Sequence, residues 1–235
     1  QTDQDFRLVI MSSDVMPDPY KDRLLQLSEK LPDVAVDFSV NRRSLFAYKK
    51  HMFSALGPGL AGSAVHFRLD DDDALAASFI ARLRRLSRDL PASTHFSFPR
   101  GSMLFPSQPG GTDGVSMIRT EPLTAIGLAY VSDASFLRNP FSMAHRQVWR
   151  DWPVLSDPTF PAYIRTLHFN NDTAARHNLI LHGSRVARMG IEGPALQAKV
   201  AEALQDEFPF LDLATLDGTL QAVAGINSMV DLPPL

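Results

Sequence analysis

The run Asp70-Asp71-Asp72-Asp73 carries more chemical content than any other stretch of this chain. Four adjacent carboxylates repel one another and are costly to bury, so a folded protein that keeps them at the end of an apolar strand needs compensation. A divalent cation would provide it. Magnesium and manganese suit such a site, because both take hard oxygen ligands and commonly keep water and substrate phosphate oxygens in their shell. A diphosphate is then the expected ligand, since metal-bridged phosphates stabilise the charge that develops when a nucleoside diphosphate leaves a sugar. The competing reading is that Asp72 or Asp73 caps a helix beginning near Ala74, with the remaining carboxylates solvated. At an extended strand end, Asp70 and Asp72 would face one side and Asp71 and Asp73 the other, giving a two-carboxylate clamp.

The elements that must position this run follow from the spacing of apolar residues. Phe6 to Met11 (FRLVIM) reads as a buried strand ending at Ser12-Ser13-Asp14. Tyr20, Leu24, Leu27 and Leu31 recur at helical spacing, with Pro19 suited to a first turn and Pro32 closing the segment. Val34 to Phe38 is a second strand, and Leu45, Tyr48, Met52 and Leu56 stripe a second helix before Gly57-Pro58-Gly59. Ala64 to Leu69 is a third strand that runs into the carboxylates, after which Leu75, Phe79, Leu83, Leu86 and Leu90 trace a long helix. Such alternation predicts a parallel sheet with helices on its faces, and ligands bind beyond the carboxyl ends of strands in sheets of that kind.

After Pro91 the rhythm changes. Thr94 to Phe98 and Ser102 to Phe105 flank Pro99-Arg100-Gly101 and predict a hairpin; Ser107 to Gly114 reads as a loop, and Val115 to Thr120 and Thr124 to Ser132 as strands. The stretch from Phe136 to Asp172, dense in Pro, Trp, Asn, His and Arg, reads as short irregular pieces of the kind that line sites. Helical patterns return over Pro194 to Phe208 and Leu211 to Ile226.

Composition narrows the function. With 235 residues, 45% of them hydrophobic, the chain can bury a sizeable core. A net charge of −3 leaves no excess of basic residues for a nucleic-acid backbone, so no nucleic-acid partner is expected. The absence of cysteine excludes disulfides and thiolate-held metals, which leaves carboxylate oxygens and imidazole nitrogens as metal ligands. No stretch approaches the roughly 20 apolar residues of a membrane span. The start at Gln1, without Met or an apolar signal core, reads as a trimmed chain. A cytoplasmic location is expected, with the inner face of the membrane as the place for any peripheral contact.

Leu69 to Leu75 (LDDDDAL) resembles the Asp-x-Asp signature of glycosyltransferases with the A-type nucleotide-sugar fold. The order QTDQDF, RLDDDDAL, IGLAYVS and RTLHFNND, from Gln1 to about Asp172, is similar to that of bacterial rhamnosyl transferases. The resemblance implies an α/β fold of glycosyltransferase A-type, Rossmann-like, with a mostly parallel central sheet flanked by helices and lacking its first strand–helix unit. Residues 1–182 would be the catalytic domain, and residues 183–235 a C-terminal helical extension packed on it. It also implies Mn2+ or Mg2+, a nucleotide-diphosphate sugar as donor, and a glycan or lipid-linked acceptor. Carried onto this chain, Asp70 would lie near the donor ribose or the metal, Asp72 would ligate the metal, and Asp73 would lie close to the donor sugar. In Arg165 to Asp172, His168 matches a histidine near the diphosphate and would be a further metal ligand; Arg165 would pair with phosphate, and Asn171 joins the donor site.

A transfer with inversion needs a base on the acceptor hydroxyl, and Asp133 and His145 are the candidates, each with a loop cap or a satisfied polar residue as its alternative. Trp149, Trp152 and Tyr163 read either as an acceptor platform or as packing for irregular segments. Arg82, Arg84, Arg85 and Arg88 read as the solvated face of the long helix, with contact to anionic lipid as the alternative. Two other functions fit the same residues: a non-catalytic glycan- or nucleotide-binding module, and a metal-dependent phosphate-transfer or hydrolysis enzyme. The latter lacks a Gly-x-x-x-x-Gly-Lys-Ser/Thr loop.

Overall fold

The apolar run after Phe6 forms strand β1 (Leu8–Met11), and the second run forms β2 (Val34–Asp37). They pair in parallel, with Leu8 opposite Val34 and Met11 opposite Asp37, which requires a crossover. Helix α1 (Asp18–Ser28) provides it, with Pro19 in its first turn as expected. The computed structural model describes residues 3, 5–31, 33–38, 45–57, 59, 61–105, 115–120, 122–138, 144–166 and 205–209. The apolar stripe of α1 sets the helix period without reaching a core: no α1 residue is buried, and Tyr20 and Leu27 stay 62% and 50% exposed. A two-stranded sheet offers a helix little surface to bury against. Helix α2 (Leu45–Ala55) buries Met52, Leu56 just past its end is buried as well, and the chain then passes through Gly57 at φ +73°.

The third apolar run becomes β3 (Ala64–Phe67), which pairs antiparallel with β8 (Ala129–Ser132). Strand β5 (His95–Ser97) lies on the other side of β8, also antiparallel, and β9 (Val154–Ser156) follows it, giving the order β3-β8-β5-β9. The other four-stranded sheet has the order β4-β10-β6-β7, from β4 (Asp73–Leu75), β10 (Tyr163–Thr166), β6 (Arg100–Phe105) and β7 (Val115–Thr120). Within it β10 is antiparallel to β4 and parallel to β6, while β6 and β7 are antiparallel. Helix α3 (Phe79–Ser87) buries Phe79, Ile80 and Leu83.

Among the described residues the fold is mixed α/β with open sheets and few helices. The described pairings do not establish the expected mostly parallel sheet: strand–helix alternation sets the order of elements, whereas the partners of β3 and β4 arrive from β8 and β10, far along the chain. The hairpin expected about Pro99-Arg100-Gly101 is also displaced. The chain passes there from β5 in one sheet to β6 in the other, and the antiparallel neighbour of β6 is β7. Gly101 serves a close approach instead of a turn, because an added Cβ would lie 2.2 Å from the ring of Tyr163.

The chain divides into two compact units. The first comprises Gln1–Arg68, Ile80–Phe96 and Leu128–Leu155; the second comprises Leu69–Phe79, Ser97–Gly127 and Ser156–Leu235. In the second unit Phe79, Phe98 and Phe160 pack edge to face, with centroids 5.0 and 5.7 Å apart, an arrangement favoured by the ring quadrupoles. Of the expected C-terminal extension, only 205–209 lies within the described residues.

Candidate functional site

The carboxylate run folds as a turn. The Asp73 N–H donates to the Asp70 carbonyl at 3.2 Å, and Asp73 then opens β4. The helix expected from Ala74 begins at Phe79 instead, so the reading of Asp72 or Asp73 as its cap loses the helix it requires. A turn also replaces the extended geometry in which the four side chains would alternate. Asp71 is exposed, while Asp70, Asp72 and Asp73 are half-buried. Three partly buried carboxylates thus share one turn, where a bound cation would offset their mutual repulsion.

Strand β4 is the edge of its sheet, and its neighbour β10 sets Arg165 directly opposite Asp73, with Ile164 opposite Ala74 and Tyr163 opposite Leu75. Opposite charges facing each other across an antiparallel pair stabilise the register. Asp73 Oδ1 and Arg165 Nε are both withdrawn from solvent. Because the two strands run in opposite directions, β10 ends at Thr166 beside the carboxylate turn. The beginning of RTLHFNND and the end of LDDDD, remote in sequence, therefore meet at one end of one strand pair. His168 and Asn171 lie outside the described residues.

The donor set is one of hard oxygens in a chain without thiols, which suits magnesium or manganese. Among the described residues no three carboxylate or imidazole side chains form a group that could hold a metal ion. Such a set would hold an ion through one or two carboxylates, with substrate phosphates and water completing its shell.

The two base candidates, both in the first unit, differ in their surroundings. Asp133 Oδ1 accepts from the Ser135 hydroxyl at 2.6 Å, the Ser135 N–H at 2.8 Å and the Phe136 N–H at 3.0 Å. The Ser135 hydroxyl, with these amides, holds its carboxyl below the usual range, which makes it a weaker base. His145 opens a short 3-10 helix (His145–Arg150) and is half-buried. Trp149, on the same helix, is 58% exposed and donates its indole N–H to the Arg146 carbonyl. Tyr163 is buried with its ring over Gly101, so it offers no face to a sugar. Of the arginines read as a solvated face, Arg84 instead binds the N-terminal segment, pairing with Asp3 at 2.6 Å and Asp5 at 2.9 Å.

Sequence reasoning missed a ladder of rings across β3, β8 and β5. His66 stacks on Tyr130 at 5.3 Å, Tyr130 on His95 at 5.6 Å, and His95 on Trp152 at 5.3 Å. His66 and His95 are each the cross-strand partner of Tyr130, a register that no local pattern encodes. Burial pushes His66 down to about 4 and Tyr130 up to about 12; it also lowers His95, against the raising effect of the Ser93 carbonyl. The Tyr130 hydroxyl donates to the Arg138 carbonyl and accepts from its N–H, and the Arg138 guanidinium lies over Phe136 and Trp152.

A family model described as "Putative rhamnosyl transferase" matches residues 1–178. No curated protein and no solved structure matches the chain. Among the described residues no helix is long and apolar enough to cross a membrane.

Proposed function

The chain belongs to the family described as putative rhamnosyl transferase, and from that premise we propose that it is a metal-dependent glycosyltransferase of the hexosyltransferase class. It moves a sugar, rhamnose in the first instance, from a nucleotide-diphosphate donor to a hydroxyl of a glycan or lipid-linked acceptor. The observation that carries this reading is the register of β4 on β10, which sets Arg165 opposite Asp73 at the carboxylate turn. A turn rich in carboxylates beside a guanidinium can hold a diphosphate from two sides, the anionic side acting through a cation and the arginine directly.

In this reading Asp70 and Asp72 would hold Mn2+ or Mg2+, with His168 as a further ligand. The ion, when bound, neutralises the charge that grows on the departing diphosphate. Asp73 orients the donor sugar, Arg165 pairs with phosphate, and Asn171 completes the donor site. The acceptor hydroxyl attacks the anomeric carbon as its bond to the diphosphate oxygen breaks. Its proton goes to a base, for which His145 is favoured over Asp133, since the Ser135 hydroxyl and the amides of Ser135 and Phe136 hold the Asp133 carboxyl below its usual range and make it the weaker base.

Release of free nucleoside diphosphate from a panel of nucleotide sugars, with manganese and a sugar acceptor, tests the reading. Metal-dependent release is expected with one donor base. Release of nucleoside monophosphate instead would mean hydrolysis of the diphosphate and would refute it.

A further inference from the structure

Glu207 and Phe208 lie beyond the residues matched by the family, yet they belong to the second unit. The Glu207 carbonyl accepts from the Ala77 N–H at 2.7 Å, and its carboxylate Oε2 accepts from the Ser78 hydroxyl at 2.5 Å. Phe208, next in the chain, is fully buried. Ala77 and Ser78 sit in the short link between β4 and α3, whose first residue, Ala76, donates its N–H to the Ala162 carbonyl at 2.9 Å. Each of the three residues that leave β4 is therefore bonded to a remote segment. At its other end β4 begins with Asp73 of the carboxylate turn, and the strand is only 3 residues long. So short an element has little strand pairing of its own, and the bonds on the link behind it add to what holds the turn in place.

We propose that Glu207 is a positioning residue: through Ala77 and Ser78 it fixes the link behind β4 and thereby the Asp70–Asp73 turn. Only the identity of the ligand at that turn rests on the transferase reading. A carboxylate accepting from a hydroxyl is a charge-assisted bond, stronger than the neutral bonds around it, so the side chain contributes more than its backbone alone.

Hydrogen exchange on the full chain without ligand reads this clamp directly. Glu207→Ala is expected to raise exchange about tenfold in the amides from Asp73 to Ser78, while those of β8 keep their rates. Ser78→Ala moves the same amides by a smaller factor, and Glu207→Gln, which retains an acceptor oxygen, stays near wild type. Manganese titrated with a panel of nucleoside diphosphates should show half-saturation displaced about tenfold upward in Glu207→Ala, again with recovery in Glu207→Gln. Unchanged exchange from Asp73 to Ser78, or exchange raised evenly through both units, overturns the proposal. Local loosening without any manganese–nucleotide response in the wild type supports the clamp and refutes the transferase reading.

Discussion

Gly101 sits opposite Tyr163 in the parallel pairing of β6 with β10, the strand that brings Arg165 to the carboxylate turn. A Cβ added at Gly101 would lie 2.2, 2.3 and 2.5 Å from three atoms of the Tyr163 ring, far inside van der Waals contact. The ring has little room to withdraw, since Tyr163 is 4% exposed. Overpacking of this kind costs about 3 kcal/mol. Replacing glycine in a strand recovers roughly 0.5–1 kcal/mol of backbone entropy. The net loss for Gly101→Ala is then about 2 kcal/mol, which lowers the melting temperature of a chain of this size by roughly 4–8 °C. Thermal melting followed by far-ultraviolet circular dichroism, on Gly101→Ala, Tyr163→Ala and the double variant, isolates the pair. With the ring removed, the glycine substitution should change sign and stabilise by roughly 0.5–1 kcal/mol. A loss of equal size with and without Tyr163, or no loss in either background, would refute the packing and with it the register of β10.

Burial lowers the pKa of His66 to about 4, against about 6.5 for an unfolded histidine, so over that window the unfolded chain binds the extra proton. Stability is therefore lost as pH falls from about 6.5 to about 4, on the order of 3 kcal/mol in full from this residue. His66→Phe, which keeps a ring against Tyr130, should flatten that part of a melting curve recorded against pH; an unaltered slope would assign the acid sensitivity elsewhere. His145→Ala is expected to lower kcat by about 10²–10⁴. Asp133→Asn should leave kcat within about threefold, because its oxygens serve the turn at Ser135 and Phe136. Steady-state rates showing the reverse order would make Asp133 the base.

Local elements were legible where the sequence pattern and the packing coincide. β1, β2, α2 and β3 lie within or on the runs read from apolar spacing, and the carboxylates emerge after β3 as expected. The long helix begins one turn later than the apolar spacing predicts. Leu75 falls in step with Phe79 and Leu83, yet it is buried as a strand residue of β4, and burial of a single leucine looks the same in either element. Strand pairing was not legible. Nothing near His66 indicates that it faces Tyr130, and nothing near Asp73 indicates that it faces Arg165. The Asp run announced itself by the cost of its charges, whereas Glu207, one acid in a helical pattern, carries no signal until the fold sets it on Ala77 and Ser78.

Manganese-dependent thermal shift by nucleoside diphosphates, compared in wild type and Asp72→Asn, reports on a diphosphate held at the carboxylate turn, since a ligand of the native state raises its stability. A shift is expected for one nucleotide; it requires manganese and disappears in Asp72→Asn, whose melting without ligand stays near that of the wild type. A shift of equal size in the variant, or one independent of manganese, would contradict a diphosphate held at this turn through a metal.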